Sequence, residues 1–538
     1  MLGRLVKKTK VLGWFGGKKR SGAGPGRKAE PSLSLSGVLE VDEARIRQAF
    51  GNSLDLVYRR IAIGKNGCIQ ALVVHISEMV NPQFVSNAIV ERMVDKTENL
   101  TDPHTVYTHI RDRYVEVTDV TETHDIQRIL EEITNGSTCI FVRGVNTAIV
   151  CQTQGFNQRE VSQPSTESTI RGSKEGFVEA LATNVSLIRR RIRNSNLRVE
   201  HYVLGAVSKT SVALVYIEGI ANPGVIEEAR QRLSRVKVDC IQESGQLEEL
   251  IEDAPLSPFP TLLRTERPDR VTGNLLEGRF AIVTDGTPFV LIAPATFSMF
   301  LTAPEDYFER FFAGSVIRLL RYLAFLISLT LPALYIAITT FHQELLPTPL
   351  ILSIAAQRDH IPFPAVVEAA LMEMVFELLR EAGIRLPVVL GQAVSIIGAL
   401  VIGEAALRAG LVSAAMVVVV ALTGVSSFAT PIFSLAISVR LLRFPLMLLA
   451  SALGLFGILV GLAVILTHLL ALRSFGVPYL EPFAPFVGRE QRDAVFRSPW
   501  WAMDERPGFV AERNGKRVPP GQMPKPPERE EGTEEVKP

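Results

Sequence analysis

The stretch RLLRYLAFLISLTLPALYIAITTFHQELLPTPL, residues 318–350, decides how the chain is read. After Arg318 and Arg321 it runs from Tyr322 to Phe341, about 20 residues, without a charged side chain. Three further runs share that property: Leu386–Gly403, about 18 residues, Ala409–Val439, about 31, and Phe444–Leu472, about 29. A helix rises about 1.5 Å per residue, so roughly 20 apolar residues cross a hydrocarbon core roughly 30 Å thick. Core helices of soluble proteins rarely run so long without charge. Val316–Leu472 is therefore read as a membrane-embedded block.

A polar half precedes that block, and the totals hide the contrast. Over 538 residues, 47% are hydrophobic and 21% charged, ordinary values produced by averaging the two halves. The net charge is +1, which offers no global basic field for nucleic acid. Cys68, Cys139, Cys151 and Cys240 all lie before the block, without CxxC or zinc-finger spacing. They read as free thiols in a reducing compartment. The N-terminus has basic residues but no long apolar segment followed by a small-residue cleavage site, so it is not read as a secretory signal.

The polar half contains an internal repeat. Asp55–Pro82 (DLVYRRIAIGKNGCIQALVVHISEMVNP) aligns without a gap on Asn196–Pro223 (NLRVEHYVLGAVSKTSVALVYIEGIANP) at an offset of 141. A second pair, Cys139–Val150 and Ala281–Ile292, follows at nearly the same offset. Each copy reads as β-branched strands leading into an Asn-Pro turn, with Pro82 or Pro223 in the first turn of a helix. The helices are expected at Gln83–Val94 and Gly224–Val236, and hairpins are expected to turn at Gly144 and Gly286.

Between the copies, Gly172–Asn194 is expected to be an amphipathic helix, because Phe177, Leu181, Val185 and Ile188 recur at helical spacing. Arg189, Arg190, Arg191 and Arg193 cluster at its C-terminal end, where cations suit the helix dipole. The second copy carries an insert, Ser257–Asp269 (SPFPTLLRTERPD), expected to be an ordered loop. Pro304–Arg310 begins an interfacial approach helix, with Tyr307, Phe308, Phe311 and Phe312 suited to the membrane boundary. Arg318, Arg321, Arg440 and Arg443 are candidate membrane-interface residues. Positive flanks mark the cytoplasmic side, which puts the large N-terminal region in the cytoplasm. Gly457 and Gly461 form a GxxxG pattern in the last membrane helix, permitting close packing. The run Ala409–Val439 is long enough to bend or re-enter near Ser426–Pro431, so the side of the tail stays open.

No P-loop, HExxH, GxSxG or GxGxxG pattern stands in a supporting context, and the histidines lack ligand spacing. Neither catalysis, a cofactor nor a metal is expected. The sharper signal is Ala365–Leu379 (AVVEAALMEMVFELL), too apolar for water and too acidic to face lipid all round. Glu373, Glu377 and Glu381 share one helix face, with Glu368 offset by roughly 140° at about 100° per residue. In a ring of identical subunits such a helix lines a cation pathway, which makes Glu368, Glu373 and Glu377 candidate ion-pathway residues and Glu404 a lesser one. The competing reading is local ion pairs, Glu377 with Arg380 or Glu381 with Arg385.

Several stretches together resemble one family. They are GSKEGFVEALATNVSLIRRRI (172–192), VYIEGIANP (215–223), TERPDRV (265–271), LLEGRFAIVTDGTPFVLIAP (275–294) and PEDYFERF (304–311). In the apolar block they are residues 318–350, PFPAVVEAALMEMVFELLREAGIRLP (362–387), RLLRFP (440–445) and SFGVPYLEPFAP (474–485). Over about residues 40–485 the chain resembles the A subunit of bacterial spore germinant receptors, the GerA family, or its relative encoded with the dipicolinate channel genes. The resemblance implies a nutrient-sensing receptor subunit in the endospore inner membrane. It would act with a transporter-like B subunit and a lipoprotein C subunit, and oligomerise to form or gate a cation-release path. A secondary transporter of small solutes and a membrane-anchored scaffold are the alternatives, although transporters usually show inverted repeats of membrane helices.

The expected fold class is α/β plus membrane α-helical, with two tandem similar α/β cytoplasmic subdomains followed by about five membrane-embedded helices. The segmentation runs as a disordered basic leader (1–37), a first α/β subdomain (38–155), a linker with an amphipathic helix (156–195) and a second α/β subdomain (196–300). An interfacial helix (301–315), a transmembrane domain (316–473) and a polar Pro-rich tail (474–538) complete it. Lipid and further copies of the chain are the other expected partners, and nucleic acid is not.

Overall fold

The computed structural model describes residues 34–51, 53–97, 100–114, 117, 119–155, 163–164, 167, 169–385, 403–488, 490–511, 514–519 and 521–524. The leader up to residue 33, most of the charge-free run Leu386–Gly403 and the tail from 525 lie outside the described residues.

β-branched runs in the polar half form two sheets. The first is ordered β1 (Leu56–Ile63), β2 (Ile69–Ile76), β4 (Thr138–Val142), β5 (Ala148–Cys151), β3 (Val120–Thr123). The second is ordered β6 (Leu197–Leu204), β7 (Thr210–Ile217), β9 (Phe280–Thr284), β10 (Val290–Ala293), β8 (Leu263–Thr265). Every pairing is antiparallel. β6 and β7 begin and end 141 residues after β1 and β2. Successive side chains of a strand point to opposite faces. In β2, Ala71 and Val73 enter one core while Leu72, Val74 and Ile76 enter another. In β7, Val212, Leu214 and Tyr216 face one core, and Ala213, Val215 and Ile217 face the other. Both faces are covered, which is why these strands read as unbroken apolar runs.

The Asn-Pro turns start helices as expected. The Asn81 side chain accepts from Gln83 N at 3.0 Å and Phe84 N at 3.3 Å, and Asn222 accepts from Gly224 N at 2.9 Å. The hairpin glycines Gly144 and Gly286 take φ of 88° and 89°, a region that favours glycine. Cys139 and Cys151 are buried in strands, Cys68 and Cys240 are exposed, and all four are free.

Three expectations change. The helix expected at Gly172–Asn194 shortens to α1 (Leu181–Arg191). The Asn184 side chain bonds both Val178 N (2.8 Å) and Val178 O (2.6 Å), and Phe177 N donates to Glu266 O, so the preceding backbone is held out of the helix. Arg189, read as a helix-end cation, reaches the first sheet instead. It is buried against Asp55 (2.7 Å) and Ser53 (3.0 Å). The insert Ser257–Asp269 is not only a loop, because β8 forms within it and a helix starts at Pro268.

The helix bundle begins with α2 (Phe311–Thr340), which opens five residues before the expected boundary at 316, after a short helix at Glu305–Phe308. α3 (Thr348–Arg358) and α4 (Ala365–Arg385) follow, then α5 (Ala414–Phe428) and α6 (Phe433–Ala471). The reversal anticipated near Ser426–Pro431 falls between α5 and α6. α2 and α6 are long and apolar enough to cross a membrane, and α5 is apolar but shorter.

The run Phe444–Leu472, expected as one helix, folds back on itself. Gly454 has φ 64° and ψ −140°, and divides α6 into arms 433–453 and 455–471. Ser438 on the first arm donates to Pro258 O, and His468 on the second lies 2.8 Å from Ser257 Oγ. Both arms thus meet one loop of the second sheet. A Cβ on Gly457 would overlap the Leu449 carbonyl, and one on Gly461 would lie 2.5 Å from Leu446 Cδ2. The GxxxG pair therefore brings the two arms of one hairpin together. At about 1.5 Å per residue the arms are about 30 and 25 Å long.

The tail returns to the sheets. Ser474 Oγ donates to Thr261 O at 2.7 Å, and Phe475, Val477 and Val510 join the apolar core of the second sheet. The tail and the sheets therefore share one end of the bundle, called the base below.

Gly457→Val is expected to destabilise the full chain by about 1–3 kcal/mol through overpacking, whereas Gly403→Ala, where a Cβ meets nothing within 4 Å, is expected to be neutral. Thermal unfolding in nanodiscs compares them, and equal behaviour would refute the hairpin contact.

Candidate functional site

The acidic helix α4 is held in the bundle by charge. Its residue Glu368 is fully buried and accepts from Ser413 N and Ser413 Oγ, each at 2.5 Å, at the start of α5. Arg358 Nε of α3 stands 3.9 Å from its other oxygen, and Tyr335 Oη of α2 lies 3.2 Å from Ser413 Oγ.

Further along α4, Glu373 pairs with Arg443 of α6, both buried. Arg443 Nε also donates to Ser328 O of α2 at 2.8 Å. That carbonyl is free for a physical reason. Its helical partner would be the N–H four residues on, which is Pro332 and has none. Glu377 receives Arg440 at 2.8 Å, with Arg380 at 3.6 Å. Arg380 donates to Ser427 Oγ of α5 at 2.6 Å and lies over the Phe376 and Phe428 rings. Glu381 pairs with Arg385 at the exposed helix end, and Glu404 pairs with Arg408 on the surface.

The opposite face of α4 is apolar. Val367, Leu371, Met374 and Leu378 recur at i, i+4, i+7 and i+11 and are exposed, Met374 at 61% and Leu378 at 66%. The helix thus turns its three deeper acids inward and an apolar stripe outward.

A second charged cluster lies at the base. Arg318 is fully buried, 3.2 Å from Asp306 and 2.9 Å from Asp493. Arg321 binds both oxygens of Asp306 at 2.7 Å, and Tyr307 Oη donates to Asp493 at 2.8 Å. Burial pushes the Asp493 carboxyl up, against the pull of Arg318. Approach segment, bundle and tail meet here.

The four arginines proposed for the membrane interface are therefore all engaged with carboxylates, and Arg318 and Arg443 are fully enclosed by protein. Glu368, Glu373 and Glu377 share a helix but have separate partners. Sequence reasoning named neither Ser413 and Ser328 nor Asp306 and Asp493. Pro332 inside an apolar helix was the available signal for a free carbonyl at Ser328. Among the described residues there is no group of three or more His, Cys, Asp and Glu arranged to hold a metal.

Comparison with known proteins agrees with the motifs. The family described as Bacillus/Clostridium GerA spore germination protein matches residues 44–509, and the chain belongs to that family. It is 46% identical over 497 residues to "Spore germination protein KA" of Bacillus subtilis (strain 168), covering 92% of this chain and 91% of that protein. It is 44% identical over 463 residues to the membrane protein YfkQ of the same organism, covering 86% of this chain and 89% of that one. Among solved structures, the N-terminal domain of the A subunit of the Bacillus megaterium spore germinant receptor GerK3 matches at 36% identity. That match has a TM-score of 0.40 and covers 50% of this chain and 99% of that one.

Removing one partner of a buried pair strands the other charge. Arg443→Met and Glu373→Leu are each expected to cost about 3–5 kcal/mol, and the double variant less than either single one. Unfolding of the three proteins in nanodiscs provides the cycle. Additive losses would mean that the pair is not coupled.

Proposed function

We propose that this chain is a subunit of a nutrient-sensing spore germination receptor, embedded in the endospore inner membrane with its sheets in the cytoplasm. It oligomerises into a ring that forms or gates a path for cation release, alongside a transporter-like B subunit and a lipoprotein C subunit, and it performs no catalysis. Membership of the GerA family supports the receptor role. The equal strand orders and the nearly constant offset support reading the polar half as two tandem subdomains that build the ring. The five embedded elements of this reading are α4 and the charge-free runs beginning at Tyr322, Leu386, Ala409 and Phe444, of which Leu386–Gly403 lies mostly outside the described residues.

The observation that carries the gating role is the two-faced character of α4. Hydrophobic constrictions close ion paths by excluding water. With Met374 and Leu378 toward the ring axis the path is shut, and Glu368, Glu373 and Glu377 are held behind it. Turning α4 brings the carboxylates to the path, where they favour cations.

The ion pair that each of these acids makes within the bundle equally favours a scaffold whose helices only anchor the sheets. Planar-bilayer recording of the purified full chain separates the readings. A cation-selective conductance is expected, altered in amplitude or selectivity by Glu368→Gln or Glu373→Gln and raised by Met374→Ser. Absence of conductance supports the scaffold, and conductance indifferent to both Gln variants removes the acids from the path.

A further inference from the structure

At the base, walled by segments that flank the second sheet, by the approach segment and by the tail, lies a half-open cavity of about 440 Å³. Glu481 lines it. This carboxylate is only 2% exposed, and neither of its oxygens has a hydrogen-bond partner among the described residues. Burial, with the Glu490 carboxyl beside it, pushes Glu481 up to about 8, although Arg279 pulls the other way.

The arginines around the cavity are committed elsewhere, and Lys516, which also lines it, is exposed. Arg279 binds Glu277 and donates to Pro294 O, and Arg517 also binds Glu277 at 2.8 Å. Arg506 is held by Leu276 O at 2.7 Å and Lys516 O at 2.5 Å. Arg492 faces Asp504 at 3.9 Å. Two adjoining buried carboxyls are costly as anions, so Glu481 keeps its proton at neutral pH until a cation takes its place. The complement it lacks is a cationic donor.

Size and lining narrow the class. A bare ion would be lost in this volume, which falls in the range of small-molecule sites, about 300–1,000 Å³. Met299, Val487 and Met503 supply an apolar wall beside the two carboxyls. We infer that this cavity is a binding site for a small organic ammonium compound. Its charged nitrogen donates to Glu481 and Glu490, and its hydrocarbon part rests on Met299, Val487 and Met503. The site is independent of the acids of α4 and of whether the chain conducts ions.

The test uses the full chain in nanodiscs with n-butylammonium chloride as the probe, against n-butanol and against potassium chloride at equal ionic strength. n-Butylammonium alone is expected to raise the thermal midpoint. Glu481→Gln is expected to weaken its binding at least about tenfold, the loss that follows removal of one charge-assisted hydrogen bond. An equal rise with potassium chloride would make this a bare-cation site. An equal rise with n-butanol would make it an apolar cavity only. No rise, or a rise that survives in Glu481→Gln, also overturns the proposal. Should the variant not fold, the methionine methyl resonances of the native chain decide. Shifts at Met299 and Met503 on adding n-butylammonium support the site, and their absence refutes it.

Discussion

Arg443 carries a charge that it cannot shed, and it lies enclosed by helices built largely from apolar residues. Leaving that charge alone would cost several kcal/mol. Two groups from two other helices meet it, the Glu373 carboxylate of α4 and the Ser328 carbonyl of α2. The second exists because Pro332 removes the amide that would have claimed it. α2, α4 and α6 are thereby fixed in register at one point, and neighbouring contacts follow from that register. Glu377 comes opposite Arg440, and Arg380 comes within reach of Ser427, which attaches α5.

The same logic joins the bundle to the sheets. Arg318 is buried at the foot of α2, and its counter-charges come from the approach segment and from the tail. Both arms of α6 end on the Ser257–Pro258 loop of the second sheet. One continuous apolar core runs from Val199 and Val215 in that sheet to Ala333 and Ala450 in the bundle. The first sheet connects through the buried Arg189–Asp55 pair and through bonds around it, Val199 N to Ser53 Oγ, Leu54 N to Val199 O and Arg198 to Ala49 O, each at 3.2 Å. The tail is thus a structural part of the base, supplying Asp493 to one cluster and Glu481 to the cavity beside it.

Local features were legible in the sequence because they rest on local physics. The charge-free runs, the Asn-Pro helix starts, the hairpin glycines and the acids along α4 need only neighbours in the chain. The family was legible from long ordered motifs. Long-range pairings were not. An arginine beside an apolar run reads as a flanking residue until its partner, tens of residues away, is brought to it. Arg318, Arg440 and Arg443 were read that way. The reversal in α6 was hidden because glycine is ordinary in apolar helices, and only its positive φ makes Gly454 a turn. Asn184 concealed the short form of α1, since a polar side chain that binds backbone two turns away leaves the apolar spacing unchanged.

Under the gating proposed for α4, its asymmetry sets what a signal would supply. On one face the helix presents an apolar stripe whose contacts are interchangeable with lipid or with another copy. On the other, the Glu373–Arg443 pair must separate before the helix can turn. Breaking one buried pair costs about 3–5 kcal/mol, and reversing a two-state balance from 1:99 to 99:1 takes about 5.5 kcal/mol of differential binding. The two magnitudes are comparable. On the proposed gating, a single tightly bound effector, or several weaker ones acting on a ring of copies, would suffice to release the helix, whereas thermal motion alone would populate the turned state rarely. Such an effector has no direct route to Glu373 from water, because the carboxylate is enclosed. Its influence must travel through α2 or α6, the two helices that both touch the pair and end at the base.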